Sequence, residues 1–253
     1  MNNKKDYIIN WMNEHKFENT LNDESIIDNI YSLIHDNKED VVENVELYLI
    51  YGQYYYTQYH NTQEEYNKSE YYFNKALELD SNNCYALNGL GIIHLELNSD
   101  KTLDLLNKAV MFGSNSALIN LGNYYMKEKN YEEAKKNYLE AYNKGIKSSI
   151  VNLGNYYMDI NNIDEAIKCY LEGIDNNISE SYANLGYLYM INGDNENAKK
   201  YLVKGMELEI PECYLNMASY YRDVENNLNL SVFIIQNALL LLPNKKKLDI
   251  IYQ

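Results

Sequence analysis

Hydrophobic and polar positions recur along this chain in one phase every 32 residues. The stretch Asn120-Leu121-Gly122-Asn123-Tyr124-Tyr125-Met126 returns as Asn152-Leu153-Gly154-Asn155-Tyr156-Tyr157-Met158 and again as Asn184-Leu185-Gly186-Tyr187-Leu188-Tyr189-Met190. A fourth, eroded copy reads Asn216-Met217-Ala218-Ser219-Tyr220-Tyr221-Arg222. Self-similarity at a fixed period of this size predicts a solenoid, in which each supersecondary unit buries its apolar face on its neighbours.

The pattern before and after the array differs. In residues 1–40, Tyr7–Met12 predicts a short helix, and Asp23–Ile34 predicts a second with Ile26, Ile27, Ile30, Leu33 and Ile34 in one stripe. This segment is expected to form N-terminal capping helices. It is also acidic, with four Lys against ten Asp plus Glu over residues 1–45. Val41–Tyr59 predicts a long helix with Leu47, Ile50, Tyr51 and Tyr54 inward. A polar break at His60–Gln63 separates it from a helix at Tyr66–Leu79 with Tyr72, Phe73, Ala76 and Leu77 buried. Residues 41–243 are expected to hold about six helix-pair repeats, and 244–253 a C-terminal cap or tail. Without that tail over Leu239–Leu242, the apolar end helix would be a self-association surface.

The small residues have a physical reason. Gly122, Gly154 and Gly186 each cost a helix about 1 kcal/mol relative to Ala, so they mark close helix crossings. Ala134, Ala166 and Ala198 are the small residues facing them. Leu121, Gly122 and Tyr125, followed by Ala134, Tyr138 and Ala141, resemble the tetratricopeptide (TPR) repeat, as do Leu153, Gly154 and Tyr157 with Ala166, Tyr170 and Gly173. Leu185, Gly186 and Tyr189 with Ala198, Leu202 and Gly205 follow in the same order. The resemblance implies an all-α, right-handed superhelical solenoid of antiparallel helix pairs, with helix A of each pair lining a concave groove. From Ala141 to Gly154 is 13 residues where the family has 15, and only Ala76 to Gly91 keeps 15. The missing two are expected in the turn from helix B to the next helix A. Sel1-like repeats, the sister class, run longer, so the shortening does not point to them.

Composition narrows the partners. The chain carries 22 Lys plus Arg and 37 Asp plus Glu, a formal net charge of −15. Such a surface repels phosphate, which disfavours nucleic acid and anionic membrane and favours neutral or basic protein segments. Cys84, Cys169 and Cys213 have no C-x-x-C spacing and read as reduced thiols in a cytoplasmic compartment. No signal peptide or membrane span is visible in the pattern. His15, His35, His60 and His94 are scattered, and no nucleophile elbow, phosphate loop or zinc-helix motif occurs. The expectation is therefore a non-enzymatic protein with no cofactor and no metal site. His94 is expected in the core, and Cys169 and Cys213 as small apolar fillers.

The remaining candidate site is polar. Ser116, Asn120, Asn123 and Lys127 share one face of a helix A. Their equivalents are Ser148, Asn152, Asn155 and Asp159, then Glu180, Asn184, Tyr187 and Ile191, then Glu212, Asn216, Ser219 and Asp223. Asn120, Asn152, Asn184 and Asn216 make a ladder of carboxamides, each able to donate to and accept from an extended peptide backbone. Asn123, Asn155, Tyr187 and Ser219 flank it. The ladder resembles the asparagine ladder of peptide-binding TPR superhelices. Lys127 and Arg222 are the sole cations on this face, so a two-carboxylate clamp cannot be built, and the acids favour a neutral or basic ligand. The expected function is a protein-interaction scaffold. A self-associating structural repeat protein with no groove ligand is the second expectation.

Overall fold

The computed structural model describes residues 44–56 and 62–241, and among them it forms twelve α-helices and no strand. They are α1 (Val45–Tyr56), α2 (Gln63–Leu79), α3 (Cys84–Glu96), α4 (Thr102–Met111), α5 (Ser116–Lys127) and α6 (Tyr131–Asn143). Then come α7 (Ser149–Asp159), α8 (Ile163–Asp175), α9 (Glu180–Ile191), α10 (Asn195–Glu207), α11 (Pro211–Asp223) and α12 (Leu228–Leu241). The expected helices of residues 1–40 and the tail 244–253 lie outside the described residues. The chain divides into two units, Met1–Tyr124 and Tyr125–Gln253. In the first, α1 to α4 pack in sequence order, and α1 also touches α3. In the second, α6 to α12 pack in order, and α9 also touches α11.

Short polar side chains start several of the helices. Thr62 Oγ1 accepts from Glu65 N at 3.3 Å while Thr62 N donates to the Glu65 carboxylate at 2.8 Å, a reciprocal capping box. That box starts α2 at Gln63, three residues ahead of the start expected at Tyr66. Asn130, Asn162 and Asp194 cap α6, α8 and α10 by accepting from the third backbone N–H of each helix. A cap of this kind contributes about 1 kcal/mol. Asn is abundant in this chain, and these ends are one place where the abundance is used.

The helix ends explain the shortened period. After α4, α6, α8 and α10 stands a residue in the left-handed region: Gly113, Gly145, Asn177 and Glu209, with φ of 105°, 93°, 61° and 56°. The next N–H then reaches back to the small residue of helix B. Ser114 N donates to Ala109 O at 2.8 Å, Ile146 N to Ala141 O at 3.0 Å, Ile178 N to Gly173 O at 2.8 Å and Ile210 N to Gly205 O at 3.0 Å. These are Schellman closures. The first junction has none, since α2 ends at Asp80 in an extended conformation, φ −137°. This corrects the expectation that the turn loses two residues. The turn holds four residues at 80–83, at 112–115 and at 176–179 alike. The Schellman junctions after α4 and α8 instead drop one residue from the end of helix B and one from the start of helix A.

The cores follow the repeat. In the first unit Tyr72 sits at the centre of an aromatic cluster. Tyr51 meets it edge-on with centroids 5.1 Å apart, and Tyr55 stacks on it at 5.7 Å. Leu47, Ile50, Phe73, Ala76, Leu90 and Ile93 close around this cluster. Tyr54 and Leu77, expected inside, are half-buried. In the second unit Ala183, Leu202, Ile210, Cys213, Met217 and Tyr220 form one core cluster, and Tyr214 with Ala238 ties α12 to α11.

Gly154 shows why a glycine is kept inside a helix. A Cβ there would lie 2.5 Å from Cε1 of Tyr170, whose side chain is fully buried in α8. At 0 % exposure the ring is enclosed on all sides by its neighbours. Gly154→Ala gains about 1 kcal/mol of helix propensity but forces overpacking that costs about 1–3 kcal/mol. A lower urea midpoint than wild type is the expected result. Glu209→Gly should act oppositely. It removes a side chain from a left-handed position, where an L residue costs about 1–2 kcal/mol. The urea midpoint should rise.

Candidate functional site

In the first unit, α5 presents Asn120 and Asn123, both half-buried. Asn120 Nδ2 donates to Asn88 Oδ1 at 2.8 Å, joining α5 to α3. Asn88 is not among the residues that the sequence pattern singles out, because the Leu90-Gly91 pair stands one residue out of step there and Asn88 does not directly precede it. Its separation of 32 residues from Asn120 was the signal that could have found it.

In the second unit the site is built outward from Gly154. With no Cβ in the way, the Tyr170 ring lies across α7 and its hydroxyl emerges beside Asn155. The hydroxyl donates to Asn155 Oδ1 at 2.6 Å and lies 3.0 Å from Met158 Sδ. The carboxamide oxygen is the stronger acceptor. Burial, followed by the neighbouring Cys169 and Asp159, pushes the Tyr170 hydroxyl above its ordinary pKa. It therefore stays protonated and stays a donor. From α9, Asn184 Nδ2 approaches the same Asn155 oxygen at 3.4 Å. One oxygen thus receives two donors, which settles the orientation of the amide. Asn155 is exposed, and its two N–H groups are the half of the carboxamide not held by these bonds.

The other rungs are placed differently. Asn152 is half-buried on α7, one turn before Asn155 and two turns before Asp159 on the same helix. Asn216 on α11 donates from Nδ2 to the backbone carbonyl of Ala183 on α9 at 3.1 Å. Ser219 lines a shallow cleft of about 340 Å³ with Leu215, Ala218 and Arg222 of α11 and Ser231 and Ile235 of α12. Tyr187 is 41 % exposed and Ile191 53 % exposed. No hydroxyl comes from below Tyr187, because α10 supplies Leu202 where α8 has Tyr170, and the Leu202 side chain fills the space above Gly186.

The charges are unevenly engaged. Lys136, Lys144 and Lys168 pair with Glu133, Glu140 and Glu165 within 3.2 Å. Lys199 is held by Glu225 and lies over the Tyr220 and Tyr221 rings, and Lys135 lies 5.4 Å over Tyr157. Arg222 closes two bonds of 2.7 and 2.8 Å on Asp223, which offsets that acid. Such exposed pairs are screened by water and salt and add little to stability. Asp159 and Glu180 are exposed on the polar face.

The groups that could do chemistry are scattered or shielded. Burial, with Glu172 beside it, pushes the Cys169 thiol up to about 12. Burial, with Glu212 beside it, does the same to Cys213, also to about 12. Both stay thiols, and a thiol is a poor nucleophile. His94 is buried in α3, with Nε2 3.6 Å from a Glu70 carboxylate oxygen on α2. Among the described residues no three His, Cys, Asp or Glu side chains gather to hold a metal ion, and no helix is long and apolar enough to cross a membrane.

A model of the tetratricopeptide repeat matches residues 116–143, 148–177 and 179–209. No curated protein matches the chain. Solved structures share the fold. Yeast Tom70 aligns with a TM-score of 0.68 at 19% identity, covering 93% of this chain and 56% of that one. The pilF protein of Pseudomonas aeruginosa aligns at 0.58 and 17% identity, covering 81% and 95%. A Sel1 repeat protein from Oxalobacter formigenes aligns at 0.55 and 16% identity, covering 85% and 100%. Matches this low in identity speak for the fold alone. Three segments within residues 116–209 are thus similar to the tetratricopeptide repeat, in a chain whose described residues form an all-α helical-repeat fold.

Proposed function

We propose that this chain is a non-catalytic, cytoplasmic protein-interaction scaffold that holds an extended, neutral or basic segment of a partner protein. The second unit contributes Asn152, Asn155, Asn184, Tyr187, Asn216 and Ser219. Asn120 and Asn123 have the same role in the first. One observation carries the reading: the Asn155 oxygen is occupied by Tyr170 and Asn184, which leaves an exposed, oriented pair of N–H donors. A side chain fixed in this way loses little rotamer freedom on binding, and pre-organisation of that kind improves affinity. An extended backbone offers a carbonyl at every residue to such a donor. The exposed acids favour approach of basic chains and mainly raise the association rate.

A second reading has its own observation. Helix α12 contains no charged residue, and Leu228, Val232, Phe233 and Leu240 on it are exposed, Leu240 at 77 %. Leu239, expected in this surface, instead packs on the cluster of Tyr214 and Ala238. On a chain of charge −15, an uncharged helix is a place where two copies can meet without apposing acids.

The two readings separate cleanly in experiment. Selection of a displayed random 12-residue peptide library by the wild-type chain should enrich a peptide family. The variant with Asn120, Asn152, Asn184 and Asn216 all changed to Ala should enrich none while its circular dichroism matches wild type. Equal enrichment by the variant would sink the scaffold reading. For α12, sedimentation of the wild-type chain should show a mass that grows with concentration, while Phe233→Asp stays at the monomer mass. A wild-type mass independent of concentration rules self-association out.

A further inference from the structure

Of the three polar rows of the second unit, that of α9 turns apolar at its two later positions. At matching positions α7 has Asn152, Asn155 and Asp159, and α11 has Asn216, Ser219 and Asp223. Helix α9 has Asn184 followed by Tyr187 and Ile191. Both are exposed large apolar side chains, four residues apart and therefore on one face. Stacking does not account for them. Leu202 already fills the Gly186 crossing, and the core beneath is closed by Ala183, Met217 and Tyr220. The exchange is also matched across the helix pair. Where α8 offers a hydroxyl, α7 has an amide to receive it. Where α10 offers Leu202, α9 has an aromatic ring facing outward.

The flanks of this apolar pair carry opposite conditions. On the α11 side, Asp223 is already bound by Arg222. On the α7 side, Asp159 is exposed and forms no ion pair with a cation of the described residues. The rows of α7 and α9 are bridged by Asn184 and Asn155. Packed helices lie about 8–10 Å apart, and an extended chain advances about 3.3–3.6 Å per residue. Crossing from one row to the next therefore takes roughly three residues of bound peptide.

We infer that Tyr187 and Ile191 seat one bulky apolar side chain of the bound segment, and that Asp159 takes a Lys or Arg about three residues away from it. The inference rests on the scaffold reading and names the ligand that reading leaves general: a basic segment with an apolar anchor, not a uniformly polar one. Burial of one such side chain is the dominant gain, and Asp159 sets the register.

The test is the same peptide selection with the full chain, now read for composition. Wild type should enrich peptides in which Lys or Arg stands three residues from Leu, Ile, Phe or Met. The double variant Tyr187→Ser, Ile191→Ser should still enrich basic peptides but lose the apolar position, and it should bind a wild-type-selected peptide about tenfold more weakly. Asp159→Asn should keep the apolar preference and lose the basic one. An apolar preference that survives in the double variant, or a wild-type selection with no apolar position, overturns the inference and leaves the scaffold reading standing. A basic preference that survives Asp159→Asn overturns the role of Asp159. Failure of wild type to enrich any peptide overturns both the inference and the scaffold reading.

Discussion

The contact of the Tyr170 ring with the bare backbone of Gly154 is the constraint on which both stacking and the candidate site depend. A Cβ at 154 would lie 2.5 Å from the ring, inside van der Waals contact. The ring then could not lie flat across α7, and its hydroxyl could not reach Asn155. Packing in proteins is dense enough that such a displacement has nowhere to go. The same ring therefore holds α8 on α7 and fixes a carboxamide on the exposed side. Leu202 performs only the first of these tasks over Gly186, and there the outward residue is Tyr187. Stacking and surface chemistry are set together, repeat by repeat.

Much of the fold was legible from periodicity because its causes are local. Gly at the crossings recurs at fixed spacing for a steric reason, but the side chains that close on Gly154 and Gly186 are Tyr170 and Leu202, not the expected Ala166 and Ala198. The repeat length was read correctly, but its cause was misplaced. The Schellman closure lies in a φ value, and Asn177 and Glu209 adopt the left-handed region as Gly113 and Gly145 do. A glycine in that position is a visible signal. Asn is a weaker one and Glu is none, so the closures could not be counted from residue types. The box at Thr62 is visible as Thr-x-x-Glu, yet the apolar pattern points to Tyr66, because it begins later than the helical backbone does.

The site was legible only as a face. Helical spacing put Asn120, Asn152, Asn184 and Asn216 in one phase, but their partners are long-range. Asn120 reaches Asn88, Asn184 reaches Asn155, and Asn216 reaches the main chain of Ala183, across 32, 29 and 33 residues. Nothing in a single helix turn predicts which of these carboxamides bonds inside the protein. The cation–π contacts were equally hidden. A lysine that lies over a tyrosine ring, as Lys135 does over Tyr157, contributes charge to the composition while its ammonium is held against the protein.

These internal bonds bear on binding by arithmetic. A carboxamide has two N–H donors and an oxygen with two lone pairs. Asn120, Asn184 and Asn216 each spend one N–H internally, which leaves a second N–H and the oxygen. Asn155 spends its oxygen and keeps both N–H groups. Half-spent amides are better suited to an extended backbone than free ones, because the internal bond holds the geometry that the outer bond requires. The cost of ordering the side chain is then borne in folding and not in binding. Folding also dictates which polarity each amide turns outward, so the donors of Asn155 would meet peptide carbonyls while the oxygens of Asn184 and Asn216 would meet peptide N–H groups. A ligand crossing from α7 to α9 would alternate in the same order, and because every residue of an extended backbone repeats that alternation, its side chains would choose the register.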